Sequence, residues 1–151
     1  KVQSTGGQPL QVTHGGGAVA FEAPDGKTLY YARSRQHPGL MKKTLPDGPE
    51  TLALPDYGWA VLGAFQVTGR GVYLLDRIER AGQSMPVIKL LPHDGGAARL
   101  LAVLDESAIP AYYSGGVTIW HPMSVSLDGR KLLITRLDHV QSTIMIAGGR
   151  H

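Results

Sequence analysis

Phe21-Glu22-Ala23-Pro24-Asp25-Gly26-Lys27-Thr28-Leu29-Tyr30-Tyr31-Ala32-Arg33 returns about a hundred residues later as Ser124-Val125-Ser126-Leu127-Asp128-Gly129-Arg130-Lys131-Leu132-Leu133-Ile134-Thr135-Arg136. Both copies are an apolar strand, an Asp-Gly turn, a basic residue and a second apolar strand. Asp-Gly supplies the positive φ that a hairpin turn demands, so each copy reads as a β-hairpin. A degenerate copy lies between them at Thr68-Gly69-Arg70-Gly71-Val72-Tyr73-Leu74-Leu75-Asp76, where two glycines replace the pair.

Working outward, a second repeated element follows the hairpins. Thr5-Gly6-Gly7-Gln8-Pro9-Leu10 resembles Pro46-Asp47-Gly48-Pro49-Glu50-Thr51-Leu52, and both resemble His93-Asp94-Gly95-Gly96-Ala97-Ala98-Arg99-Leu100. Each is again strand, glycine turn, strand. One unit therefore holds four antiparallel strands. The first unit, 17–54, places them at 17–23, 27–34, 39–44 and 50–54. The second, 59–104, places them at 59–67, 71–77, 86–91 and 98–104. An incomplete third unit, 122–147, has strands at 122–126, 131–136 and 143–147. Residues 1–13 read as the end of a third strand (1–3) and a fourth strand (9–13) of a preceding unit. The fold class expected is all-β, made of about three β-propeller blades of four antiparallel strands, because repeats of roughly 40–50 residues with four strands each are blades.

Composition agrees. Twenty glycines and ten prolines punctuate the 151 residues, and 42% of the chain is hydrophobic, enough for a core. Asn and Cys are absent, so N-glycosylation acceptors, disulfides and thiolate metal sites are excluded. The net charge of +3 is small and scattered. Its densest point, Met41-Lys42-Lys43, reads as the solvated edge of a strand and not as a nucleic-acid stripe. No apolar run is long enough to span a bilayer.

The glycine turns and the Ala23-Pro24-Asp25-Gly26-Lys27 run resemble the WD40-like (PD40) repeats of the TolB-type β-propellers, whose strands end in Ser-Pro-Asp-Gly-Lys. Ala23 and Leu127 depart from that pattern, standing where the family has Ser and Pro. The resemblance covers nearly the whole chain, poorly in the second unit. It implies a fold, and a periplasmic or extracytoplasmic setting, but no reaction.

Catalytic motifs are weak. Gly82-Gln83-Ser84-Met85-Pro86 ends in Pro where a nucleophile elbow needs Gly, and it sits between strands. Gly15-Gly16-Gly17 reads as a linker between blades, since no helix follows to hold a phosphate. Loops are more informative. Turns after first and third strands share one end of a blade, and loops after second and fourth strands share the other. On this register His14, Arg35, His37, Tyr57, Tyr112, Tyr113, Trp120, His121, Asp138 and His139 fall on the second, loop-bearing face. Loops at one end of a rigid scaffold carry binding sites, and exposed polar loops are also simply solvated. The long aromatic connection 105–121 reads either as a ligand-binding lip or as a plug between blades. No metal or cofactor is expected.

The expectation is a non-enzymatic module binding a protein or peptide, with a propeller domain of a hydrolase or lyase as the alternative. Three blades fall short of a closed ring of about 4–8. Completion is expected from a second copy, giving six blades in a homo-oligomer, or from further blades of a larger parent chain.

Overall fold

The computed structural model describes residues 1–104, 113–114, 117–118, 122–126 and 128–134. Within them the chain forms two four-stranded antiparallel meanders. The first runs β1 (Val19–Glu22), β2 (Thr28–Ala32), β3 (Leu40–Thr44) and β4 (Glu50–Leu54). The second runs β5 (Phe65–Thr68), β6 (Gly71–Arg80), β7 (Gln83–Leu91) and β8 (Arg99–Val103). A two-residue pair, β9 (Tyr113–Ser114) with β10 (Val117–Thr118), falls inside the expected long connection. A third sheet holds β11 (Met123–Val125) and β12 (Leu132–Ile134). The chain is all-β, built of blade-like sheets that do not close into a barrel; among the described residues there is no α-helix. The expected strand 143–147 lies outside the described residues.

Successive side chains of a strand point to opposite faces, and here both faces of the inner strands are buried. On β2, Leu29 and Tyr31 face one way and join Met41, Val12 and Leu45. Tyr30 and Ala32 face the other way and pack with Leu40 against Phe65, Val72, Leu74 and Leu91 of the second sheet. On β6, Tyr73 and Leu75 turn from that layer toward Met123, Val125, Leu132 and Ile134. The sheets thus stack face to face in chain order, with the N-terminal segment laid on the far face of the first. Near-continuous apolar runs such as Val72-Tyr73-Leu74-Leu75 are what burial on both faces requires.

The repeated turns are superimposable in their bonding. Ala23 N–H donates to Thr28 O (2.7 Å) and Gly26 N–H to Ala23 O (2.9 Å); Ser126 and Gly129 make the equivalent bonds to Lys131 O (2.9 Å) and Ser126 O (2.8 Å). Gly26 and Gly129 share a φ of 67°. Each Asp-Gly pair thus supplies the expected positive φ through its glycine, and Asp25 and Asp128 do not take it themselves. Instead Asp25 Oδ1 accepts Lys27 N–H (2.8 Å) and Asp128 Oδ1 accepts Arg130 N–H (3.0 Å). This side-chain-to-backbone bond is the Asx turn, and it explains Asp by its acceptor. In the degenerate copy Thr68 Oγ1 replaces it, accepting Arg70 N–H at 3.2 Å.

Several expected boundaries shift. Residues 59–62 are not strand but part of a 3-10 turn (Gly58–Leu62), closed by Gly63 in the left-handed region at φ 71°. The β6–β7 hairpin runs on past Arg77 and Pro86 to a two-residue turn at Ala81-Gly82. The N-terminal segment is reduced from two strands to one pair, in which Lys1 and Leu10 exchange backbone bonds of 2.7 Å each. Lys42 and Lys43 are not a solvated edge. Lys43 is 6% exposed, and Lys42 Nζ donates to His93 O (2.7 Å).

Candidate functional site

The strand register pairs Leu29 with Lys43 and Tyr31 with Met41, and those with Glu50 and Leu52, all on the far face of the first sheet; Arg33 follows just past the end of β2. Polar groups there converge on Glu50. Its Oε2 accepts the Tyr31 hydroxyl (2.6 Å) and lies 3.5 Å from Arg33 Nη2. Its Oε1 lies 3.7 Å from Lys43 Nζ and accepts the His14 backbone N–H (3.4 Å). The Tyr31 hydrogen bond, chiefly, holds the Glu50 carboxyl below the usual glutamate range despite desolvation, with the His14 N–H, Lys43 and Arg33 adding to it. Burial, and then the bond to Glu50, pushes the Tyr31 hydroxyl up. Both shifts keep the proton on Tyr31 and the charge on Glu50.

Two cations thus share one carboxylate. Lys43 is buried, whereas the Arg33 side chain keeps 36% of its surface exposed. Its Nε is sealed from water with no hydrogen-bond partner. Gly15 covers it: a Cβ there would lie 3.3 Å from that nitrogen. Arg33 opens on a cleft of about 360 Å³ whose other walls are Gln36, His37, Pro38, Met41 and Leu52. The tight turn between β2 and β3 orients the imidazole, since Ser34 Oγ lies 3.0 Å from His37 Nδ1 and His37 N–H reaches Ser34 O at 3.3 Å. The cleft therefore offers a guanidinium, an amide and an imidazole above an apolar floor.

Of the candidate residues, His37 lines this cleft. His14 joins through its backbone and not its ring. Arg35 is exposed nearby but is not part of the wall. Tyr57 is a correction. It is 2% exposed, and its hydroxyl is directed at the carbonyls of Ala64 and of Leu75 (2.9 Å). It anchors the 3-10 turn to the second sheet and faces no ligand; burial raises its pKa well above the usual value. Tyr113 lies on β9. Tyr112, Trp120, His121, Asp138 and His139 lie outside the described residues. Sequence reasoning missed Tyr31, Arg33, Lys43 and Glu50. Their alternation along neighbouring strands was the available signal, once the Asp25-Gly26 turn had set the register.

Among the described residues no group of three or more His, Asp or Glu could hold a metal ion, and no helix is long and apolar enough to cross a membrane. Comparison with known families, with curated proteins and with solved structures finds no match for this chain.

Proposed function

We propose that this chain is a peptide- or protein-interaction module of TolB-like β-propeller architecture. The observation that carries the reading is the cleft beside Arg33. It joins a half-neutralised guanidinium to an apolar floor, and it sits on a sheet whose inner strands are packed on both sides. A rigid scaffold with a mixed apolar and polar concavity is the usual form of a recognition site. The repeated turn at Asp25-Gly26 and Asp128-Gly129 supports the propeller part of the reading.

Panning random-peptide phage libraries on the chain, one of them displaying the peptides with free C-termini, tests the function. Enrichment of a shared motif that fails to bind Arg33→Glu is the expected result. No enrichment, or binding indifferent to the variant, overturns it. Turnover in esterase, peptidase or lyase screens that disappears in His37→Ala would replace it with the hydrolase or lyase alternative.

The ring is completed by further blades, from a second copy or from the same parent chain. Leu133 on the far face of the third sheet is 74% exposed, and Leu100 and Leu101 on β8 are exposed as well. Such surface is what a neighbouring blade covers. Sedimentation equilibrium checks the two-copy form: a doubled mass that falls to a single chain in Leu133→Glu is expected. A compact, stable monomer excludes it.

A further inference from the structure

We propose that the cleft beside Arg33 captures the C-terminal carboxylate of a peptide whose last side chain is apolar. The inference rests on the peptide-binding reading above and names its ligand.

The charge count comes first. Glu50 is surrounded by the Tyr31 hydroxyl, the His14 N–H, Lys43 and Arg33. One carboxylate so placed leaves a positive charge uncompensated, and Arg33 is the cation that reaches the cleft. A guanidinium has five N–H donors in a planar fork that matches a carboxylate. Here Nη2 has the long ion pair with Glu50, and Nε is sealed beneath Gly15. The guanidinium also faces the Tyr31 hydroxyl, and the donors left over from these contacts are the ones offered to a guest. His37, held by Ser34, adds a second polar group on the same wall.

The floor decides which anion. Pro38, Met41 and Leu52 are apolar, so a bare phosphate would leave them uncovered, whereas an apolar side chain next to the carboxylate covers them. The volume of about 360 Å³ is near the lower limit for small-ligand sites. It suits one residue and is short for a long acyl chain. The Gln36 amide can both donate and accept, which fits the last peptide group of such a ligand.

The test follows Met41 and Leu52 methyl signals by NMR while the chain is titrated with N-acetyl-leucine, N-acetyl-leucinamide and hexanoate. The acid is expected to bind about tenfold tighter than the amide, since a charge-assisted bond is lost in the amide. Arg33→Gln should erase that preference. Leu52→Glu, at an exposed position, should weaken both ligands by removing part of the apolar floor, and the acid more than the amide by charge repulsion. Equal binding of acid and amide overturns the carboxylate assignment, and so does the absence of any shift with the acid. Hexanoate binding as tightly as N-acetyl-leucine overturns the peptide source. Peptides from the panning that bind alike with free and amidated ends would leave the interaction module standing and remove only its ligand class.

Discussion

The Tyr30 hydroxyl lies 3.0 Å from His93 Nδ1, and this contact joins the first four-stranded sheet to the second. The other ring nitrogen, Nε2, is 2.7 Å from Thr68 O. A carbonyl only accepts, so Nε2 carries the proton and Nδ1 accepts from Tyr30. Lys42 Nζ closes the joint on His93 O at 2.7 Å. Tyr30→Phe should therefore strand a ring nitrogen and cost about 1–3 kcal/mol, the penalty of an unsatisfied buried polar group. The urea midpoint of unfolding measures it. The double variant with His93→Ala should fall short of the sum of the single costs by about 0.5 kcal/mol or more, because the two groups share one bond. Strict additivity would dissolve the joint.

Two glycines in one turn should respond oppositely to Ala. Gly71 has φ 138°, and a Cβ there would lie 2.5 Å from Leu91 O, a backbone atom that cannot rotate away. Gly69 has nothing within 4 Å of the same position and no positive φ. Gly71→Ala should cost about 3 kcal/mol, combining φ strain with a backbone clash. Gly69→Ala should be neutral or raise stability by up to about 1 kcal/mol, through the unfolded chain. Thermal melts of the two variants side by side decide it. A tolerated Gly71→Ala would mean that β6 and β7 can separate at this point.

What could be read from the chain and what could not divide along a physical line. The Asp25-Gly26 and Asp128-Gly129 hairpins were legible because a turn is set by local φ and by a bond two residues long. The four strands of the first sheet were legible for the same reason, each being bounded by a turn. The β6–β7 hairpin was cut short at Arg77 and Pro86, because charge and Pro normally mark strand ends. Here the pairing carries on beyond the packed layer, and Arg77 Nη1 bonds Ser84 O at 3.2 Å. Trp59 and its neighbours are apolar enough to suggest strand, but the left-handed Gly63 and the buried Tyr57 hydroxyl fix a 3-10 turn. Lys43 and Glu50 look solvated in sequence. Only long-range pairing shows that they lie beside each other, under Tyr31 and the N-terminal segment. The cleft was therefore half visible: His37 through its loop, and Arg33 not at all.

The Ala81-Gly82 turn carries a residue it does not favour. The two-residue connection between Arg80 and Gln83 has φ 52° at Ala81 and φ 78° at Gly82. Positive φ at both central positions is the type I′ pattern, for which Asn-Gly is the preferred pair. An L-residue with a Cβ costs roughly 1–2 kcal/mol in the left-handed region, and Asn offsets part of that through local hydrogen bonds. Ala81→Asn should raise stability by about 0.5–1 kcal/mol. Slower amide hydrogen exchange at Arg80 and Gln83 would locate the gain at the hairpin tip. Faster exchange there would show that the turn has another form in solution.

Glu50 should make the chain lose stability in acid. Its folded carboxyl titrates below the ordinary glutamate value, first because Tyr31 donates to it, then because the His14 N–H, Lys43 and Arg33 favour its charge. In the unfolded chain the same group titrates near about 4.3. As pH falls through that value the unfolded state takes up the proton first, so the equilibrium shifts toward unfolding. The loss continues until pH passes the lower folded value; above about pH 5 the contribution is complete. Glu50→Gln removes this titration. Urea midpoints of the native chain and of Glu50→Gln should therefore converge as pH drops and separate as it rises above the carboxylate range. Tyr31→Phe should narrow the separation, since its hydroxyl is the largest cause of the shift. Parallel curves across the acid range would mean that Glu50 has the same proton affinity folded and unfolded, and the polar knot behind the cleft would then not hold the charge that leaves Arg33 only half compensated.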